Sequence, residues 1–169
     1  MKRELLPFHS GPLCLRLIEA SDLETTLSWR NREDARVWFK NSNHLTLEQH
    51  RTWFHRYQDK DDDYLFIVEF DGKPAGQASI YDIQWDTGSA EIGRFLVAPE
   101  AAGKGYINRA CNALLQISRR NLGLKSLFLE VYETNARAIR LYQRNGFVEE
   151  FRSNGLIHMV RSLLPEEYI

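Results

Sequence analysis

Gly103-Lys104-Gly105-Tyr106 opens an apolar run with helical spacing and comes soon after a strand-like stretch, Ala90-Glu91-Ile92-Gly93-Arg94-Phe95-Leu96-Val97. A strand, a glycine turn and a helix start make an anion site, because free backbone N–H groups and the positive end of the helix dipole meet there. Further along come Asn135 and then Ala138-Ile139-Arg140-Leu141-Tyr142-Gln143-Arg144-Asn145-Gly146-Phe147, where Tyr142 offers a phenol as proton donor. Together they suggest an enzyme that holds a phosphate-bearing cofactor and transfers a group from it.

These residues need elements to position them. Leu13 to Ile18 alternates weakly and reads as a first strand. Ser21-Asp22-Leu23-Glu24 has the capping-box pattern and starts a helix to about Trp29, a second piece covers Glu33 to Phe39, and Thr46-Leu47-Glu48-Gln49 opens a third, to about Tyr57. Asp59-Lys60-Asp61-Asp62-Asp63 reads as a solvated loop without calcium-loop spacing. Tyr64 to Phe70, Pro74 to Trp85 and Ala90 to Val97 form an antiparallel meander around Asp71-Gly72 and Asp86-Thr87-Gly88-Ser89. From Ile107 the positions Ala110, Cys111, Leu114, Leu115 and Ser118 make an amphipathic stripe, with Gly123 as a C′ residue. Ser126 to Tyr132 is a strand running parallel to the last meander strand across that helix. Ala136 to Arg144 is a short helix closed by Asn145-Gly146, and a final hairpin turns at Asn154-Gly155. The expectation is a single α/β domain over residues 1–169 with a mixed sheet.

Composition narrows the classes. The 169 residues are 43 % hydrophobic and 27 % charged, ordinary for a globular domain. With 22 Lys+Arg against 23 Asp+Glu there is no basic field for nucleic acid. No stretch reads as a signal peptide or membrane span. Cys14 and Cys111 have no paired spacing; Cys111 falls on an apolar helix face as a core residue, which suits a cytoplasmic chain. His50 and His55 lack i, i+4 spacing, and no metal site is expected.

The chain resembles the GNAT superfamily of N-acetyltransferases over nearly its whole length. The family's Q/R-x-x-G-x-G/A loop falls on Ala102-Gly103-Lys104-Gly105-Tyr106-Ile107, departing at Ala102 and at Ile107. Its later motif is matched by Asn135, Ala138, Ile139, Leu141, Tyr142, Gly146 and Phe147. The resemblance implies a largely antiparallel sheet with a splayed parallel pair of central strands, flanked by four to five helices. It implies acetyl-CoA in that splay: pantetheine along the strand near Leu96 and Val97, pyrophosphate on 102–107, and Asn135 on the pantetheine arm.

Attack on a thioester needs a neutral amine, a donor for the charge that develops on the acyl oxygen, and a proton for the leaving thiolate. Tyr142 is the candidate acid. Glu91 is the candidate base, with Glu130 and His158 as rivals; strand alternation places Glu91, Gly93 and Phe95 on one face. Trp29, Trp38 and Trp53 read first as packing residues, some also walling the acceptor pocket. Arg30 and Arg36 would suit an anionic acceptor.

The segment Trp29-Arg30-Asn31-Arg32-Glu33 to Phe54 resembles the sugar-nucleotide branch, which acetylates the 4-amino group of a UDP-linked sugar in the pseudaminic acid pathway. That makes Trp29, Arg30, Asn31 and Arg36 the candidate acceptor residues and a small amine, such as a nucleotide sugar, the expected partner of a monomer or homodimer. A ribosomal-protein-type N-terminal acetyltransferase is the rival reading. Polyamine acceptors are disfavoured because Glu91 alone supplies a carboxylate to the expected pocket. A non-catalytic acyl-CoA-binding domain is the last alternative, against which the presence of Tyr142 weighs.

Overall fold

The computed structural model describes residues 1–165. One sheet runs through it, in the order β1-β2-β3-β4-β5-β6-β8-β7. Its strands are β1 (Phe8–Ser10), β2 (Leu13–Leu17), β3 (Tyr64–Phe70), β4 (Lys73–Gln84), β5 (Ser89–Val97), β6 (Ser126–Tyr132), β7 (Val148–Ser153) and β8 (Leu156–Ser162). The helices are α1 (Leu23–Arg30), α2 (Glu33–Arg36), α3 (Leu47–Asp59), α4 (Tyr106–Arg120) and α5 (Ala136–Arg144). All neighbouring strands are antiparallel except β5 and β6.

Local chemistry accounts for the elements. Thr46 accepts the Gln49 N–H at 3.1 Å and Gln49 returns a bond to the Thr46 N–H at 2.9 Å, so α3 begins with two backbone donors satisfied. α4 buries Ala110, Cys111, Ala113, Leu114 and Ile117 against a core that includes Leu15, Phe66, Ile80, Ile92, Leu127, Leu129, Phe147 and Met159. Leu114 and Leu127 are fully buried, and cutting either to Ala costs about 2–5 kcal/mol. Burial holds Cys111 as a neutral thiol, pushed up to about 12. Asn154 and Gly155 both take positive φ at the β7–β8 turn, as a two-residue hairpin requires.

Four expectations need correction. A short β1 precedes the expected first strand and pairs with it. The capping interaction ahead of α1 is made by Asp22, which accepts the Glu19 N–H at 2.8 Å, not by Ser21. α2 stops at Arg36, short of Phe39, and the chain continues to Thr46 without regular structure. Asp63 is not solvated: it is 1 % exposed and paired to Arg94 at 2.8 Å.

Candidate active site

β5 and β6 pair at Ser89/Ser126, Ala90/Leu127 and Glu91/Phe128, then separate. β6 stays bonded to β8 over its whole length, and β5 stays on β4 to its last residue. The gap therefore opens between residues 92–97 of β5 and 129–132 of β6, with Glu91 at its apex. β5 also carries a bulge. Arg94 has φ +54°, the register against β4 shifts between Gln77 and Ser79, and the Gln77 amide donates to the Arg94 carbonyl at 3.0 Å. The extra residue reverses the alternation. Phe95 packs with Ala90 and Ile92 in the main core, while Leu96 joins Trp29, Ala75, Ala98 and Ala101 on the other side. Phe95 does not share a face with Glu91.

One arm of the gap leads to the glycine loop. Gly103 and Gly105 have φ +77° and +76°, a region where only glycine sits without strain, and a Cβ added at either would meet nothing within 4 Å. Gly105 is the N-cap of α4 and has no side chain to satisfy the first-turn N–H groups. Tyr106 stacks on Phe70 at 4.1 Å, which fixes the helix start against the end of β3. Lys104 is exposed, Ala102 is exposed and Ile107 is half-buried outside the core. Unsatisfied N–H groups facing open space suit a diphosphate, so the loop fits the cofactor implied by the resemblance.

Tyr142 lies across the gap. Its ring packs on Phe95 of β5 at 5.9 Å and on Phe147 at 6.1 Å, so the phenol of α5 is held against the opposite strand. Burial drives its pKa well above the ordinary phenol range, and it stays protonated at neutral pH. Asn135 is the N-cap of α5; its side-chain oxygen accepts the Ala138 N–H at 3.3 Å, which leaves its amide N–H groups for a ligand.

Glu91 is half-buried. Burial is the main influence on its carboxyl and raises the pKa, which the Tyr81 hydroxyl and the Lys40 charge partly offset while Glu130 and Asp82 add to it. A carboxylate shifted toward neutrality is suited to take a proton from an amine. Glu130 stands close by, joined to Lys40 Nζ at 2.7 Å. His158, opposite Glu130 in the β6–β8 register, is stacked between Phe151 and Phe128, the register partner of Glu91, and stands 3.4 Å from Glu150.

The candidate acceptor residues separate. Trp29 is 5 % exposed and supports Leu96 from below, which makes it core. Asn31 spends its amide on Leu45, donating to its carbonyl and accepting its N–H, both at 2.8 Å. Arg30 is buried, donates to the Asn41 carbonyl and stacks on Phe39 at 4.2 Å. Its Nη1 has no partner among the described residues. Arg36 is half-exposed beside it. Arg30 and Asn31 hold the segment 37–46.

Sequence reasoning missed Lys40, Tyr81 and the Trp38–Tyr132 contact at 6.4 Å. Tyr81 was hidden by a bulge: counting back from Gln84 opposite Ser89 sets Asp82 against Glu91, and Asp82, with φ +50°, shifts the register so that Tyr81 stands there instead. Lys40 gave no signal, because irregular chain carries no periodicity.

Residues 12–148 match the family described as Acetyltransferase (GNAT) domain, and the chain belongs to that family. It is an N-acetyltransferase, and acetyl-CoA is its acyl donor. Spermidine N(1)-acetyltransferase of Vibrio cholerae is 27 % identical over 142 residues, 83 % of this chain and 82 % of that protein. A crystal structure of the V. cholerae spermidine N-acetyltransferase in complex with CoA and spermine superposes with a TM-score of 0.82 at 26 % identity, covering 91 % of this chain and 97 % of the other. Acetyltransferase PseH of Campylobacter jejuni is 28 % identical over 130 residues, 77 % of this chain and 79 % of PseH. YdaF of Bacillus subtilis, described as a ribosomal N-acetyltransferase, is 27 % identical over 172 aligned positions, 92 % of this chain and 93 % of YdaF.

Proposed function

We propose that the chain acetylates a primary amine presented as an ammonium to Glu91 and Glu130, and that the acceptor is a polyamine of the spermidine class. One observation carries the reading: at the apex of the splay Glu130 already holds an ammonium, that of Lys40 at 2.7 Å, and the same charge acts on Glu91. This removes the objection that Glu91 stands alone. The likeness to spermidine acetyltransferases supports the same acceptor.

Bound acetyl-CoA supplies an activated acyl group. Gly103 to Ile107 hold the diphosphate through backbone N–H groups, and residues 92–97 of β5 offer a free edge to the pantetheine amides. Glu91 takes the proton that makes the amine nucleophilic. Backbone N–H groups on the gap side of β5 face the acyl oxygen as it gains charge, and such donors each contribute about 3–4 kcal/mol. Tyr142 gives its proton to the departing sulfur.

A second reading rests on the buried Arg30 Nη1 without a partner, with Arg36 beside it. Two guanidinium groups suit a phosphate, so an amine on an anionic carrier, such as a UDP-linked 4-amino sugar, fits that corner. The test is CoA release with spermidine, spermine, a UDP-linked 4-amino sugar and a ribosomal-protein N-terminal peptide. Preferred turnover of spermidine or spermine supports the polyamine reading. Preferred turnover of the sugar nucleotide or the peptide replaces it.

A further inference from the structure

Residues 37–46 form a strap between α2 and α3. Its far end is clamped by Asn31 on Leu45 and its middle by Arg30 on Asn41. Its tip reaches the end of β6 through two contacts, Trp38 on Tyr132 and Lys40 on Glu130. Val37 and Trp38 remain 55 % and 44 % exposed, so the tip is lightly held.

We infer that Lys40 is an internal stand-in for the acceptor's ammonium, displaced when the amine arrives, and so a residue that sets the affinity for cationic acceptors and keeps the base ionised in their absence. This rests on the reading of Glu91 and Glu130 as the acceptor-amine site. The argument is one of charge. Glu91 and Glu130 repel each other, and Asp82 adds to that on Glu91. Two neighbouring carboxylates without a cation push one of the pair toward its protonated form. A protonated Glu91 could not act as base. Lys40, bonded to Glu130 and acting on Glu91 through its charge, keeps a cation beside the pair until an ammonium from solution replaces it, so the charge count at the site is the same before and after binding. The exchange is cheap. Lys40 is 67 % exposed along its side chain and Glu130 30 %, the range in which an ion pair is worth at most about 1 kcal/mol. Lys40 therefore competes with the incoming ammonium, and removing it leaves the carboxylates free for the acceptor. The groups facing Glu91 are Tyr81 and Asp82 from β4, Glu130 from β6 and Lys40 from the strap.

The experiment is steady-state kinetics with spermidine and acetyl-CoA across pH, on the wild type and the Lys40→Met, Lys40→Arg, Glu130→Gln and Glu91→Gln variants. Lys40→Met is expected to lower the spermidine KM about two- to fivefold, the worth of an exposed ion pair. It should also move the acidic limb of kcat/KM to higher pH, because Glu130 and Asp82 then act on Glu91 unopposed. Lys40→Arg should restore both, and the acetyl-CoA KM should stay unchanged. A Lys40→Met enzyme whose spermidine KM and acidic limb both match the wild type, while Glu130→Gln raises that KM, overturns the inference and leaves the site reading intact. If Glu130→Gln and Glu91→Gln leave the spermidine KM unchanged, or the wild type does not turn spermidine over, the reading fails and the inference falls with it.

Discussion

Replacing Glu91 by Gln is the sharpest test of the base assignment, because it keeps the shape and removes the charge. The half-buried carboxyl receives a hydrogen bond from Tyr81, and an amide oxygen can accept the same bond, so the β4–β5 hairpin should keep its geometry. What is lost is proton acceptance. A positioned general base contributes about 10²- to 10⁴-fold, or about 3–5 kcal/mol of barrier at 1.36 kcal/mol per tenfold. The kcat of Glu91→Gln should fall within that range, while acetyl-CoA binding, which the proposed function assigns to Gly103 to Ile107 and β5, stays put. The residual rate should climb with pH, as only acceptor already neutral in solution reacts.

Stability should move the opposite way. Folding raises the Glu91 pKa, so its buried anion destabilises the fold above the folded-state pKa, and the effect disappears below the ordinary carboxylate value. Glu91→Gln should therefore melt higher than the wild type at pH 8, the difference closing as the pH falls below about 4. A variant with kcat within threefold of wild type at every pH refutes the base assignment. One that loses both activity and melting temperature refutes the claim that the loss is chemical.

Tyr142→Phe should keep its packing on Phe95 and Phe147 and its CoA affinity by calorimetry, and lose about 10²-fold in kcat. Gly105→Ala places a Cβ at φ +76° in open space, so it should cost about 1–2 kcal/mol of backbone strain by thermal melting and raise the acetyl-CoA KM while leaving the amine KM alone. Arg94→Met leaves Asp63, whose side chain is 2 % exposed, with Lys60 at 4.0 Å as its remaining ion-pair partner; breaking a buried pair costs about 3–5 kcal/mol in urea unfolding, with the low end expected because Arg94 is 26 % exposed and Lys60 stays. Adding Asp63→Asn should recover part of that loss.

Much of the fold was legible because its signals are local. β6 and α5 have the expected bounds, since a run of alternating apolar residues and an Asn cap with a Gly-Phe exit speak for themselves. The turn that leads into α4 was legible for the same reason: two glycines and a helix start are neighbours in the chain. The bulge was not. Arg94 looks like an alternating strand residue, and its left-handed φ is held by Asp63, 31 positions away, inside a run of acids that reads as solvated loop. The acceptor corner was illegible in a different way. Trp29, Arg30 and Asn31 have the chemistry to bind a ligand, and they use it on Leu96, Asn41 and Leu45 instead. An arginine's type does not say whether its partner is a phosphate or a carbonyl of its own chain.

The two halves of the site are held with unequal firmness, and this bears on how the reaction is organised. The splay is fixed from both sides: β6 is bonded to β8 along its length, and β5 is bent by a bulge locked through Arg94, Asp63 and Gln77. Closing it would mean breaking that lock and leaving the buried Asp63 with the longer Lys60 contact alone. The donor cleft therefore exists before any ligand, and little binding energy is spent on forming it. The acceptor side is covered by a strap whose tip rests on one exposed ion pair and one tilted ring contact. Such a contact opens at little cost, so the amine meets a loose cover over a rigid cleft. Substitutions on the strap should then act on the amine and its pH profile, and substitutions in the bulge or the glycine loop on acetyl-CoA. The structure assigns those effects to separate residues because separate elements hold them.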